Sequence, residues 1–163
     1  MSKTVINLNN FESLHPVIIL VSTQLAQNIG SVARAMKNCG LEDLRVVNPR
    51  DGWPNKDADA MAAGAKDLLK KIKVYESLTE ALDGITIVFA SSARERDFSK
   101  QVISPNEAAK KIINQTKIQN KCALVFGPEN SGLTNEDIAK SNYIVKIPLN
   151  KNFSSLNLSQ AVL

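Results

Sequence analysis

The order of apolar and amphipathic segments predicts an α/β protein whose mostly parallel sheet is covered by helices on both faces. Short apolar runs rich in β-branched residues, such as "VIILV" and "ITIVF", are typical of buried strands. Segments in which apolar residues recur at helical spacing lie between these runs along the whole chain. Regular alternation of strands and helices favours parallel pairing, because a helix carries the chain back to the start of the next parallel strand.

Six elements are predicted for the first half of the chain. They are, in order, strand 17–23, helix 28–40, strand 44–49, helix 58–72, strand 73–77 and helix 78–84. In the first helix, Ile29, Val32 and Met36 fall on one apolar face, and Gly40 is a natural stop. Gly64 weakens the middle of the second helix, because glycine is a poor helix former.

The second half continues the alternation. Its predicted elements are strand 85–91, a polar loop over 92–103, helix 104–115, strand 122–127, helix 134–141, strand 143–148 and the start of a helix near 156–162. Ser104 is the expected cap of its helix, with Pro105 as the first helical residue and Glu107 reaching back to the cap. Thr134 and Asp137 repeat this spacing, so both helix starts are specified locally.

Composition limits the class of protein. A chain of 163 residues fits a single domain with a sizeable core, and 44% hydrophobic and 22% charged residues are ordinary for a globular protein. No apolar run approaches the roughly 20 residues that cross a bilayer, and "MSKTVINLNNFESLHP" lacks the apolar centre of a signal peptide. We therefore expect a cytosolic (cytoplasmic) protein without a membrane partner. The net charge of +4 permits a nucleic-acid partner without requiring one.

Several classes of chemistry lack the residues they need. His15 is the only histidine, and Cys39 and Cys122 are far apart, so neither a zinc site nor a redox pair is expected. No strand is followed by G-x-G-x-x-G, which removes the usual support for a Rossmann dinucleotide site. The segment "GPENSGLT" has the glycine spacing of a Walker loop, but Leu133 occupies the position of the essential lysine, which excludes an NTPase of that kind.

Four loops carry the candidate site residues, because ligands of parallel α/β sheets bind beyond the carboxyl ends of the strands. Asn28 is either a helix cap or a site residue, and Arg34 is either a solvated charge or a catalytic group. Glu129 lies in the glycine-bounded loop, where a sharp turn alone would explain Gly132 but not Glu129. A basic cluster in and after "SSARERD" is either solvated or suited to phosphate contact; it consists of Arg94, Arg96 and Lys100.

Three segments resemble, in their order, the three motifs of the SPOUT RNA methyltransferases. They are "NIGSVARAMKNCGL", "LVFGPENSGLTNEDI" and "IPLNKNFSSLNLSQAV", and they are most similar to the TrmH-like branch, which methylates ribose 2′-hydroxyls. The further segments "VVNP", "AAGA" and "SSARERD" resemble a tRNA-methylating subfamily of that branch. The resemblance runs from about residue 15 to residue 163 and implies a homodimer with a deep C-terminal trefoil knot. We expect 1–163 to form a single domain, truncated in the first turn of a helix that is longer in the family.

The resemblance also implies a site for S-adenosylmethionine (AdoMet). The residues that would line it are Ser91, Ser92, Ala93, Gly127, Ile147, Ser154, Ser155 and Leu156. The implied polar catalytic set is Asn28, Arg34, Glu129, Ser155 and Asn157. The family implicates Arg34 in activating the ribose hydroxyl. Because a guanidinium stays protonated in proteins, Arg34 could instead hold a phosphate while Glu129 or water takes the proton.

The implied reaction is methyl transfer from AdoMet to a ribose 2′-hydroxyl of tRNA, at nucleotide 32 of the anticodon loop, with S-adenosylhomocysteine as product. No metal is expected, and Arg94, Arg96 and Lys100 are expected to contact tRNA phosphates. The alternatives are another tRNA or rRNA ribose, a non-catalytic RNA-binding module, and a protein whose knot serves only as a dimer scaffold. Aromatic residues make up only 5% of the chain, so no stacking platform for a base is predicted.

Overall fold

Seven strands form one sheet in this protein, in a computed structural model that describes residues 15–94 and 99–163. The strands are β1 (Val17–Val21), β2 (Leu44–Val47), β3 (Lys73–Tyr75), β4 (Ile87–Ser91), β5 (Gln101–Ile103), β6 (Cys122–Phe126) and β7 (Tyr143–Val145). Their order across the sheet is β3-β2-β1-β6-β4-β7-β5, and each neighbouring pair is parallel. The predicted α/β class with a mostly parallel sheet is therefore confirmed.

Helices connect most of these strands. They are α1 (Ala26–Asn38), α2 (Lys56–Met61), α3 (Lys66–Leu69), α4 (Leu78–Ala81), α5 (Pro105–Lys117), α6 (Asn135–Ala139) and α7 (Leu158–Val162), with a 3₁₀ turn at Ala63–Ala65. The predicted capping boxes at Ser104 and Thr134 are both present. In the part of the chain that the structure describes, no helix combines the length and the apolar character needed to cross a membrane.

The helices cover both faces of the sheet, because alternate residues of a strand point to opposite sides. Ile18 of β1 is fully buried in one core cluster together with Ile29 of α1. Its neighbour Ile19 is fully buried in a second cluster, which also contains Leu78 of α4 and Ile138 of α6. This two-sided burial explains why β1 reads as a continuous apolar run rather than an alternating one.

The segment 92–103, predicted as a polar loop, ends in a strand. Gln101, Val102 and Ile103 form β5 and pair in parallel with β7 at the edge of the sheet. Of the three, only Ile103 is buried, because an edge strand of this length has little to cover it. The prediction of a loop throughout is wrong for these residues, since a short exposed edge strand lacks the apolar run that marks a buried one.

The segment 58–72, predicted as one helix, is interrupted. Helix α2 ends at Met61, and the chain passes through a 3₁₀ turn before α3. Ala63 has a φ of 48°, in the left-handed region that an α-helix cannot contain. Gly64 follows directly, so the weak point predicted from that glycine is where the helix breaks.

Helix α1 begins at Ala26, two residues before the predicted start. The residue at its N-cap, Leu25, has no side chain that can accept a hydrogen bond. Asp51 supplies the cap from a distant loop, where its Oδ2 accepts a hydrogen bond from the Ala26 N–H at 3.1 Å. Asn28 therefore lies within the first turn and is not the cap, which leaves its side chain available to the site.

The order of the strands places a crevice at the carboxyl ends of the central strands. The chain runs outward from β1 to β2 and β3, and then returns to the other side of β1 to form the remaining four strands. In parallel sheets, ligands bind beyond the carboxyl ends of the strands at such a reversal. The loops that follow β1, β4, β6 and β7 all leave from the carboxyl ends of these strands, which lie together because the strands are parallel and adjacent.

Candidate active site

A cleft of about 240 Å³ opens where the loops after β4, β6 and β7 meet the start of α7. All eight residues predicted to line a cofactor pocket border this cleft: Ser91, Ser92, Ala93, Gly127, Ile147, Ser154, Ser155 and Leu156. They come from three segments that are far apart in the sequence. The fold therefore gathers the whole predicted set in one place.

The walls of the cleft combine apolar side chains with small polar groups. Phe126 and Leu158, both buried, border it together with the exposed Ser154 and Ser155. Ser92 is almost fully buried, and its backbone N–H is taken by the Val145 carbonyl at 3.1 Å. Such walls suit a ligand with a flat apolar part and hydrogen-bonding edges.

Gly127 shapes one wall by allowing a close approach of the backbone. A Cβ at this position would lie 2.2 Å from the Leu133 nitrogen and 2.4 Å from the Gly132 carbonyl carbon, distances that no real side chain tolerates. The loop folds back on itself because the Gly132 N–H donates to the Pro128 carbonyl at 2.8 Å and Gly132 adopts a φ of +67°. The two glycines thus have different roles in one turn.

Glu129 projects from this turn towards α1. Its Oε2 accepts a hydrogen bond from the Gln24 backbone N–H at 2.8 Å, and its Oε1 accepts from the Asn28 side-chain amide. Both donors belong to the segment after β1, over a hundred residues away in the sequence. Two donors, one to each oxygen, fix the orientation of the carboxylate.

Asn157 extends this network to α7. Its Nδ2 donates to Asn28 Oδ1 at 3.4 Å, while its Oδ1 accepts from the backbone N–H of Ser159 at 2.9 Å and so caps α7. Asn157, Asn28 and Glu129 therefore form a chain of side-chain hydrogen bonds. These hydrogen bonds connect α1, the turn after β6 and the start of α7, which are far apart in the sequence.

The network leaves Glu129 able to accept further hydrogen bonds. An ionised carboxylate offers about four lone-pair positions, and two donors occupy only part of them. Glu129 is exposed and borders the cleft, so a substrate hydroxyl can reach it from there. The arrangement can accept a proton from a group bound in the cleft.

Among residues 15–94 and 99–163, no group of three or more His, Cys, Asp or Glu side chains could hold a metal ion.

Arg34 is not part of this network. It lies six residues after Asn28, about 9 Å further along α1, and its side chain is exposed. Within the described residues its side chain makes no hydrogen bond or ion pair, and it does not border the cleft. Ser155, by contrast, borders the cleft as predicted. Four of the five predicted catalytic residues are thus gathered at one site, and the fifth is not.

The predicted basic cluster is divided. Arg94 borders the cleft and is exposed, and Arg96 lies outside the described residues. Lys100 donates to the backbone carbonyls of Ala139, at 2.9 Å, and of Ser141, at the end of α6. A lysine held by carbonyls is not free to bind phosphate, so its predicted role as a phosphate contact is not supported by this geometry. Of the two members that the structure describes, Arg94 is the one whose side chain remains available at the cleft.

Sequence reasoning missed Gln24, whose contribution is a backbone N–H rather than a side chain. Nothing in the residue type indicates such a contact. The cap that Asp51 supplies was also missed, because its carboxylate orders the start of α1 from 25 positions away in the sequence. Leu149, which lies just after the predicted strand 143–148, and Leu158 of the predicted last helix also border the cleft, although neither was predicted as a site residue.

Comparison with known proteins gives a consistent set of matches. The sequence profile of the SpoU rRNA Methylase family matches residues 15–163. The tRNA (cytidine/uridine/adenosine-2′-O-)-methyltransferase TrmJ of Pseudomonas aeruginosa (strain UCBPP-PA14) is 42% identical over 145 residues, which are 89% of this chain and 56% of that protein. The crystal structure of TrmJ from Z. mobilis ZM4 matches with a TM-score of 0.86 and 45% identity, over 91% of this chain and 65% of that one.

A more distant solved structure matches over nearly its whole length. It is described as giving structural insights into the 2-OH methylation of C/U34 on tRNA, and it matches with a TM-score of 0.69 and 25% identity over 91% of this chain and 90% of that one. The curated relatives are longer. The chain spans only 56% to 59% of the length of the first four that it matches.

Proposed function

This chain belongs to the SpoU rRNA methylase family, and from that membership we propose that it transfers a methyl group from AdoMet to a ribose 2′-hydroxyl of tRNA. The membership confirms the resemblance predicted from three motifs, and the relatives named TrmJ agree with the predicted tRNA-methylating subfamily. The second product of this reaction is S-adenosylhomocysteine.

The observation that carries the proposal is the convergence of chemistry at one cleft. Asn28, Glu129 and Asn157 come from separate segments and are joined by hydrogen bonds. The eight residues that line the cleft lie on the neighbouring loops. A protein that only bound RNA, or used its fold only as a scaffold, would have no need for an oriented carboxylate beside such a cleft.

The residues of the cleft fit AdoMet. Phe126 and Leu156 offer apolar surface for a purine ring, and Gly127, Ile147 and Leu156, which also border the cleft, would serve its polar edge through their backbone groups. The sulfonium of AdoMet supplies an electrophilic methyl group. The protein therefore has two tasks, which are to hold the ribose hydroxyl in line with that methyl group and to take up its proton.

Glu129 is the proposed proton acceptor. Gln24 and Asn28 hold it in place, and Asn157 fixes Asn28 in turn. Guanidinium groups stay protonated in proteins, so the proposed role of Arg34 is that of a cation that holds the phosphate next to the reacting ribose and stabilises the developing alkoxide. Ser155, at the cleft, offers a hydroxyl to the same oxygen.

The separation of Arg34 from its own chain's network supports a shared site. We propose that the protein acts as a homodimer in which Arg34 reaches the cleft of the partner subunit. We also propose, from the family, that the segment 147–157 passes through a trefoil knot on its way to α7. Its many small polar side chains suit a backbone that lacks strand partners, because Asn150 and Asn157 both accept hydrogen bonds from nearby backbone N–H groups.

The proposed target is nucleotide 32 of the tRNA anticodon loop, as the resemblance implies. One observation favours a second candidate, nucleotide 34: the solved structure whose description names C/U34 is matched over 90% of its length. Against it stands the higher identity of 45% to a TrmJ structure. Both candidates are ribose methylations in the same loop and differ only in how the RNA is placed.

The proposal is tested by incubating total RNA with isotopically labelled AdoMet and the protein, and identifying labelled nucleosides by mass spectrometry. We expect 2′-O-methylcytidine and 2′-O-methyluridine from the tRNA fraction. Label on a base, or label confined to rRNA, would overturn the proposed substrate. Absence of AdoMet binding in calorimetry, together with absence of label, would overturn the methyltransferase proposal itself.

A further inference from the structure

Phe153 has the highest exposed fraction among the large hydrophobic side chains that the structure describes, with 72% of its surface accessible. It is also the only aromatic residue in that exposed group. An aromatic ring gains more from burial than most side chains. A ring left in solvent beside an active site is therefore a candidate for contact with a ligand.

The turn that carries Phe153 is held by hydrogen bonds. The Phe153 N–H donates to the Asn150 carbonyl at 3.0 Å, and the two residues form an isolated antiparallel bridge. The Asn152 N–H donates to the side-chain Oδ1 of Asn150 at 2.9 Å, which closes an Asx turn. The exposed ring is thus presented by an ordered backbone, which lowers the entropy lost when a ligand contacts it.

The turn 150–153 lies next to the cleft. Leu149 before it and Ser154 after it both border the cleft. A second groove, of about 700 Å³, shares these two residues with the cleft and is bordered by Asn150 and Lys151 of the turn. A chain molecule whose reacting group enters the cleft would therefore continue along this groove and past the turn.

The charge of this region matches a polyanion. Between Ser141 and Leu163 the chain has two lysines, Lys146 and Lys151, and no acidic residue. Both lysines border the groove, and Lys151 is exposed. A second copy of this protein would bring the same lysines to a symmetric contact, where they would repel each other. A nucleic-acid strand brings phosphates for Lys151 and bases for the ring.

We propose that Phe153 stacks on a nucleobase next to the methylated nucleotide and that Lys151 contacts an adjacent phosphate of the same RNA strand. The inference rests on the proposed function, since it assumes an RNA whose ribose enters the cleft. Aromatic side chains bind unpaired bases in this way without strong sequence preference, because every base has a flat face. The turn would then hold the RNA in register with the cleft, a role that the composition of the chain did not predict.

The test compares Phe153→Leu, which keeps an apolar side chain but cannot stack, with Phe153→Trp, which can. Loss of one stacked base predicts a dissociation constant for tRNA that is roughly fivefold to hundredfold higher in Phe153→Leu, and Phe153→Trp should bind as the parent does. Lys151→Ala should lower the slope of log K against log salt by about one, while Phe153→Leu should leave the slope unchanged. Ile118→Ala is the matched control, because Ile118 is 67% exposed but lies at the end of α5.

Three results would overturn the inference. Phe153→Leu could bind tRNA as well as the parent, it could lose AdoMet affinity to the same degree as tRNA affinity, or it could change the oligomeric state in light scattering. The second result would assign the turn to the cofactor site, and the third would make it a protein interface. A parent that neither binds AdoMet nor methylates RNA would refute the proposed function, whereas a methylating parent whose Phe153→Leu variant binds tRNA equally well would refute only the stacking.

Discussion

At the scale of single residues, the Glu129 carboxylate carries the proposed chemistry, and its two donors decide its position. We predict that Glu129→Gln lowers the rate of methyl transfer by about a hundredfold to ten-thousandfold, the usual contribution of a proton-transferring group. The neutral amide cannot take the hydroxyl proton, and its NH₂ group would face a donor at Gln24 or Asn28. Single-turnover kinetics with bound tRNA measures this rate directly.

The control for Glu129→Gln is Glu136→Gln, which removes an exposed carboxylate of α6 whose partner is Lys140. We expect this variant to keep the parent's rate, because Glu136 borders none of the described cavities. Calorimetry should show that both variants bind AdoMet about as tightly as the parent. An unchanged rate in Glu129→Gln would mean that water or another group takes the proton.

The family resemblance predicted most of the site, and residue type singled out one member of it. Glu129 is predictable, because a carboxylate is not needed for the sharp turn in which it lies. Gln24 is not predictable, because any residue except proline offers the same backbone N–H. The contact between them depends on the sheet placing β1 beside β6, which no local pattern encodes.

At the scale of elements, the turn after β6 depends on Gly127. We predict that Gly127→Ala lowers the free energy of unfolding by about 1–3 kcal/mol, the usual range for overpacking, because its Cβ would lie 2.2 Å from the Leu133 nitrogen. AdoMet affinity should fall with it, since Gly127 borders the cleft. Denaturant unfolding and calorimetry test the two effects.

Gly64→Ala provides the matched control, because a Cβ there meets nothing within 4 Å. This variant should be unchanged or slightly more stable, by up to about 1 kcal/mol, as the unfolded chain loses freedom. If Gly127→Ala proves as stable as Gly64→Ala and binds AdoMet normally, the turn is more adaptable than its geometry indicates.

The capping box of α5 predicts a dependence on pH. Hydrogen bonds from the Ser104 backbone N–H and from its hydroxyl lower the pKa of Glu107 from its ordinary value of 4.5. Because the folded-state pKa is the lower one, this contribution to stability is fully present above about pH 4.5 and is lost as the pH falls through the folded value. NMR titration should find the Glu107 midpoint below 4.5 in the parent and nearer to 4.5 in Ser104→Ala. Equal midpoints in the two proteins would mean that the Ser104 hydroxyl contributes nothing to the lowered pKa and that the backbone N–H alone causes it.

Element boundaries show where local signals suffice. The starts of α5 and α6 are predictable, because Ser104 and Thr134 each carry their own capping partner three residues later. The start of α1 is not, because its cap comes from Asp51 in another loop. Strand β5 escapes prediction for a related reason: it is held by pairing with β7 and not by an apolar pattern of its own.

At the scale of the whole molecule, the parallel class is predictable from alternation, whereas the order of the strands is not. The order β3-β2-β1-β6-β4-β7-β5 brings the ends of β1, β4, β6 and β7 together. The proposed catalytic set is scattered over 130 positions of the sequence, from Asn28 to Asn157, and its members meet only through this order. The one predicted member left out is Arg34, which the proposed homodimer would supply from a second subunit.

Mixed dimers test that arrangement. We predict that Arg34→Ala, and also Arg34→Lys, abolishes methyl transfer while AdoMet binding stays intact, because an ammonium cannot reproduce the planar guanidinium fork. Subunits bearing Arg34→Ala are then mixed with subunits bearing Leu156→Trp, whose cleft is blocked. Each mixed dimer would contain one intact cleft facing one intact arginine, so activity should return although neither variant is active alone. No recovery in confirmed mixed dimers would mean that Arg34 serves its own chain's cleft.

Three tRNA substrates that are identical except for the sugar test whether the cleft directs a methyl group to one ribose 2′-hydroxyl of the anticodon loop. They contain ribose throughout, 2′-deoxyribose at nucleotide 32, and 2′-deoxyribose at nucleotide 34. With labelled AdoMet, we predict full labelling of the first and third substrates and none of the second. Loss of label only in the third substrate would move the target to nucleotide 34. Equal labelling of all three, or labelling of none, would contradict this prediction.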